Sequence, residues 1–224
     1  MAIILSGIIR KATEHNNYKK AKNDSIRGEM IRNTEITYGS VAKWLHWLTA
    51  ILVLAAYLLV LYLEYVIHHE GPQRSPVIRL HKGIGFSVLL FFALRIWWRA
   101  KNLIPKLPES MPNWQIKASH ASHFCLYALL IAMPVSGYFG NSSGVSYVFF
   151  DIPGFQYTAI GIWVMDLLGV TNEQWEVPFD FFHYRIAGPF LFWMVIAVHA
   201  GAGLYHHFVE KDDVLKRMLP NKSA

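Results

Sequence analysis

The chain is poor in charge and nearly devoid of cysteine. Asp, Glu, Lys and Arg together make up 16% of its 224 residues, against 54% hydrophobic and 15% aromatic residues. Soluble domains carry about 25% charged residues, so this balance argues against an ordinary water-soluble fold and suits a solvent that is largely lipid. The single cysteine, Cys125, lies in an apolar stretch, which excludes disulfides, thiolate zinc sites and iron–sulfur clusters. The net charge of +6 is no nucleic-acid footprint, because the basic residues flank apolar runs instead of forming one stripe. No internal repeat stands out.

What the chain does have is long apolar runs. Trp44 to Leu63 is charge-free over twenty residues, enough to cross about 30 Å of hydrocarbon at about 1.5 Å per residue. Ala118 to Gly140, interrupted only by Pro134, and Ile186 to Phe208 are two more such runs. Gly83 to Trp98 is shorter and contains Arg95, which lies near one end and can snorkel, with Trp97, Trp98 and Arg99 anchoring the interface. Ile152 to Met165 is too short to cross, and its Pro-Gly pair reads as an interfacial or loop segment. The expected fold is therefore all-α, an integral membrane four-helix bundle with both termini on one side.

Lysine and arginine fix that side. Eight lie in residues 1–43, and more follow in the link between spans two and three and after span four. The forty-two-residue link from Asn141 to Phe182 has none. Positive residues stay inside, so both termini are expected in the cytoplasm and the chain in the bacterial inner (plasma) membrane. Met1 to Ile9 is apolar but lacks a preceding basic region and a small-residue cleavage site, so it does not read as a signal peptide. Residues 1–38 are expected to form a polar cytoplasmic arm. Residues 39–220 then form the four-span domain, with 141–182 as its outer segment.

Ionisable groups inside spans are costly and mark function by default. His46 sits just inside the cytoplasmic end of span one, and His199 in the cytoplasmic half of span four. On the other side, His81 opens span two and His183 immediately precedes span four. Any one histidine alone reads best as a hydrogen-bonded packing residue. Four sorted into leaflet pairs point to haem, because neutral imidazoles on facing helices can occupy both axial positions of haem iron. Gly83 and Gly85 after His81, and Ala200 to Gly203 after His199, would let a flat macrocycle approach, although small residues equally favour helix packing.

The other histidines carry weaker signals. His120 and His123 have a spacing that also suits a divalent metal, but no further ligand is evident nearby, which leaves a haem-edge or interfacial role. His206 falls on nearly the same face as His199 and, with His207, suits propionate or headgroup contacts. His68 and His69 are expected to be solvated in the first outer loop, and His15 belongs to the arm.

With these residues in hand, the chain resembles the bacterial cytochrome b561 family, related to the cytochrome b subunits of nickel–iron hydrogenases. The resemblance covers residues 38–220 and rests on VAKWLHWLTA, RLHKGIG, HASHFCLYALLIAMPVSGY and VHAGAGLYHHFVEKDDVLKRMLP. It implies two b-type haems, one held by the iron ligands His46 and His199, the other by His81 and His183. It also implies electron transport to or from the quinone pool, with ubiquinone as the partner, and at least one member oxidises superoxide. A superoxide:quinone oxidoreductase is thus one expectation, a plain electron carrier another. Arg74, Arg79, Lys82 and Arg185 could steer superoxide electrostatically, or simply bind lipid headgroups or propionates. One spacing departs from the family: His183 and His199 are sixteen residues apart, wider than usual. On an uninterrupted helix at about 100° per residue this puts them on nearly opposite faces. Pro189 offers a way out, placing His183 on a preceding turn free of the helix phase.

Two rival readings remain. The chain could be the cytochrome subunit of a periplasmic dehydrogenase or hydrogenase, docked through the aromatic outer segment with Trp163 and Trp175. Alternatively it could be a haem-free, histidine-lined transporter, although four spans are few and the histidines pair by leaflet instead of marking a midplane path.

Overall fold

In the computed structural model, residues 31–67, 74–147 and 150–220 are described; His15, His68, His69 and most of the amino-terminal arm lie outside them. Four helices are long and apolar enough to cross a membrane. Helix α1 spans Ser40–Tyr62 and runs on through a π-helical turn, Leu63–Ile67. Its interior contains no proline or glycine, so nothing interrupts the hydrogen-bond ladder. Helix α2 spans Arg74–Ala100, with Asn102 Nδ2 donating to the Trp98 carbonyl at 2.9 Å to cap its last turn. Helix α3, Asn113–Phe139, starts directly after Pro112 and contains Pro134. Helix α4, Ala159–Leu168, is the short apolar segment; at ten residues it does not cross.

The last crossing is a continuous 39-residue rod, Asn172–Glu210, called α5. It begins with a capping box, in which Thr171 Oγ1 accepts from the Gln174 N–H and the Gln174 side chain accepts from the Thr171 N–H. Its middle stretch, Phe181–Leu191, is π-helical over eleven residues and contains Pro189. A π turn closes i→i+5 bonds and takes up about one more residue than an α turn. The phase mismatch between His183 and His199 is absorbed here. The expectation that His183 precedes span four on a separate turn is corrected: it lies inside the rod, and the π stretch as a whole, not a break at Pro189, restores the register.

Only 6–17% of the most apolar window of each crossing is buried. The remaining apolar surface, such as Trp44 at 73% exposed and Phe190 at 73%, has no protein to cover it and is the face turned to lipid. The buried core is a narrow waist of Val88, Phe92, Leu129, Leu130, Ala187 and Phe192, with Leu52 and Val53 packed against it. On α5, Ala187 and Phe192 fall between His183 and His199, and on α1 Leu52 and Val53 fall between His46 and Ala56, whose carbonyl meets His81. The waist therefore separates an upper layer from a lower one, the lower being where α1 begins and α5 ends.

Above α3 the chain forms a small antiparallel pair, Val145–Ser146 (β1) against Asp151–Ile152 (β2), with Val145 opposite Ile152. Gly144 adopts a left-handed conformation (φ 66°), and a Cβ there would sit 2.1 Å from the Ile152 carbonyl oxygen, so only glycine fits the turn. Tyr147 Oη donates to the Gly83 carbonyl at 3.0 Å, and Lys82 Nζ donates to Ser143 Oγ. These bonds fasten the hairpin onto α2 beside His81. Trp175 and Phe179 turn inward, packing with Phe139 and Phe155 at ring separations of 4.7–5.8 Å. The outer segment thus spends much of its aromatic surface on its own core, which leaves Trp163 on α4 exposed and Trp175 half-buried.

Candidate functional site

The bundle brings the four span histidines together as two pairs. In the upper layer the rings of His81 and His183 lie 6.2 Å apart at an interplanar angle of 89°. In the lower layer His46 and His199 lie 6.3 Å apart at 62°. Two imidazoles on opposite sides of one metal atom, with metal–nitrogen bonds of about 2.0 Å and each nitrogen about 1.1 Å from its ring centre, have centres about 6.2–6.3 Å apart. Both pairs match that figure. Because the planes can turn about the shared axis, the two different angles are both compatible with it.

Hydrogen bonding fixes the upper rings. The Nδ1–H of His81 donates to the Ala56 carbonyl at 2.8 Å, and that of His183 donates to the Met133 carbonyl at 2.9 Å, with Ser136 Oγ at 3.2 Å. Carbonyls at Nδ1 force the tautomer in which Nε2 carries the free lone pair, as a ligating histidine requires. Gly137 makes room for one of these rings, since a Cβ at that position would come within 2.9 Å of His183 Cε1. Gly85 lies one turn after His81 on the same face, and a Cβ there would meet nothing within 4 Å, so a planar group can lie against that backbone.

The lower layer is less constrained. His46 Nδ1 is buried without a hydrogen-bond partner. A third ring, His123, stands 5.1 Å from His199, with its Nδ1–H donated to the Ser119 carbonyl at 2.8 Å. That separation is too short for a second axial position on one atom, so His46, not His123, matches His199. His120 is exposed and lines the same cavity as His123, and among the described residues no cluster of three metal-ligating side chains forms. His206 Nδ1 is taken up by a hydrogen bond to Asp212 Oδ2 at 2.6 Å, which ties down the end of α5. Of the small residues after His199, Ala200, Gly201 and Ala202 are exposed and Gly203 is half-buried; a Cβ at Gly201 would meet nothing within 4 Å.

Sequence reasoning did not single out Ala56, Met133, Ser136 or Gly137. Carbonyl acceptors carry no side-chain signature, and Gly137 reads in sequence as one more small residue in a span.

A multi-pass helical membrane protein with two facing imidazole pairs, one per layer, is by class a membrane b-type cytochrome arrangement. Residues 37–221 match the family described as prokaryotic cytochrome b561. The chain belongs to that family and is a transmembrane b-type cytochrome with an electron-transfer role in a bacterial membrane. Among its relatives, cytochrome b561 homolog 2 of Escherichia coli (strain K12) is 30% identical over 204 residues, covering 86% of this chain and 96% of the relative. Cytochrome b561 homolog 1 of the same organism is 29% identical over 186 residues, 80% of this chain and 94% of the relative. The probable superoxide oxidase CybB of Yersinia pestis is 25% identical over 185 residues, 83% of this chain and 97% of the relative.

Proposed function

We propose that this protein holds two haems b, one between His46 and His199 and the other between His81 and His183, and exchanges electrons with the quinone pool. Bound haem iron supplies one-electron chemistry. The chain's own part is to supply four neutral imidazoles, hold their orientation and keep water away with the apolar waist. The single observation that supports this reading best is the pair of ring separations, 6.3 and 6.2 Å. His46 and Ala56, the residue that accepts from His81, are ten positions apart on α1. That is about 15 Å along a helix, about half the hydrocarbon thickness, so one pair sits in each leaflet.

The basic residues of the links and ends orient the lower layer toward the cytoplasm of the inner membrane, with residues 39–220 as the di-haem domain and 1–38 as the arm. At the upper layer Lys82 is adjacent to His81, and Arg185 is two residues from His183. A positive field there suits a small anionic donor, and the relative named a probable superoxide oxidase favours superoxide. Superoxide:ubiquinone oxidoreductase is the activity we assign. Haem per chain, measured by a pyridine haemochrome spectrum, tests the cofactor: two are expected, and none in protein made with ample haem rejects the reading. Superoxide-dependent quinone reduction by purified protein tests the donor. A rate unchanged on neutralising Lys82 and Arg185 would remove them from steering.

A further inference from the structure

Below the waist lies a cavity of about 350 Å³ between α2, α3 and the segments that close the lower end. Its walls include Tyr38, Arg95, Trp98, Arg99, His120 and His123, and no acidic side chain lines it. Arg95 is partly buried inside the bundle and near enough to His46, His123 and His199 for its charge to act on all three. Its guanidinium stands 5.9 Å from the Tyr127 ring centre, and among the described residues no carboxylate pairs with it. Trp98 Nε1, on the same wall, is buried with no acceptor.

A guanidinium partly buried in the bundle without a counter-ion is costly. So is a buried N–H without an acceptor. Both costs vanish if the cavity receives anionic oxygens. Two arginines and no acid call for a carboxylate, which they bind bidentately; a neutral carbonyl compound leaves the charge uncompensated. We propose that Arg95 and Arg99, with Trp98 Nε1, form the seat for the carboxylates of the haem held by His46 and His199. The proposal rests on the two-haem reading above and adds to it a charged anchor at the lower layer.

The test compares haem b with its dimethyl ester, whose carboxylates are neutralised, by titrating each into full-length chain produced without haem in detergent micelles. At the site that His199→Ala abolishes, wild-type chain is expected to bind haem b at least about tenfold more tightly than the ester. The double variant R95Q/R99Q is expected to bring the two within about twofold by weakening haem b alone, and Arg95→Lys to retain part of the preference. The ester controls for folding, since a variant that still binds it has kept its bundle. If the double variant binds neither ligand, the wild-type ratio decides alone. Equal wild-type affinity at that site overturns the proposal while leaving two haems in place. The proposal is equally overturned if the variants keep the preference and instead raise the KM for quinone. Failure to bind any haem overturns the two-haem reading itself.

Discussion

The two histidine layers have the same ring spacing but are built differently. In the upper layer both Nδ1 atoms are committed to backbone carbonyls, and a hairpin is fastened over the site. In the lower layer His46 Nδ1 has no partner, a third histidine crowds His199, and an arginine-lined cavity opens alongside. One site is organised by the backbone, the other by charge. Carbonyl acceptors fix a ring's direction before any ligand arrives, whereas an uncompensated cation such as Arg95 is satisfied only when its anion comes. The upper layer should therefore be sensitive to steric change and indifferent to ligand charge, and the lower layer the reverse.

Substitutions can break or sharpen that contrast. The largest effect is expected from His183→Ala or His199→Ala: if the chain holds two haems as proposed, each removes one and leaves the other, read from the haem-per-chain ratio. Next is Gly137→Val. Its Cβ would press on His183 from 2.9 Å, and overpacking of this kind costs about 1–3 kcal/mol. Haem should drain from the upper site with the lower site unchanged, and loss from both would show that the layers are not independent. Ser136→Ala removes one contact to His183 Nδ1, at 3.2 Å, while the Met133 carbonyl remains. The cost should be about 0.5–1.5 kcal/mol, seen as modestly faster haem loss from the upper site alone.

Asp212→Ala breaks the pair with His206, whose side chains are 12% (His206) and 20% (Asp212) exposed, and also removes the acceptor for the Val214 N–H. A loss of about 1 kcal/mol in thermal stability is expected without loss of haem. The smallest effect is expected for Lys106→Ala. Its pair with Glu35 is 2.7 Å long but 77% and 66% exposed, and pairs so exposed contribute about 0–1 kcal/mol. A clear destabilisation there would mean that the lower closure, in which Arg217 Nη1 donates to the Lys106 carbonyl at 2.6 Å, is held by charge after all.

Much of the architecture was legible without coordinates. Charge-free runs around Leu54, Leu129 and Val198 required helices that cross a bilayer, and the alternation of spans then sorted His46 with His199 and His81 with His183. Other features were not legible. Pro189 signalled trouble in the last span but pointed to a break, whereas the rod stays continuous through a π stretch, Phe181–Leu191, that contains Pro189. Trp175 looked like a surface aromatic, yet it closes a cluster with Phe139 and Phe155, residues distant in sequence.

Sequence by itself determined the membrane location, the number of crossings and the type of ligand. Hydrophobicity is additive along the chain, and four imidazoles sorted into pairs by leaflet point to haem where any one alone would not. Tertiary structure alone decided the 6.2 and 6.3 Å ring separations, the carbonyls of Ala56 and Met133 as orienting groups, and the gap that Gly137 leaves for His183. Each of these depends on where one helix meets another, and backbone acceptors and missing side chains leave no mark in a sequence until the neighbouring helix is in place.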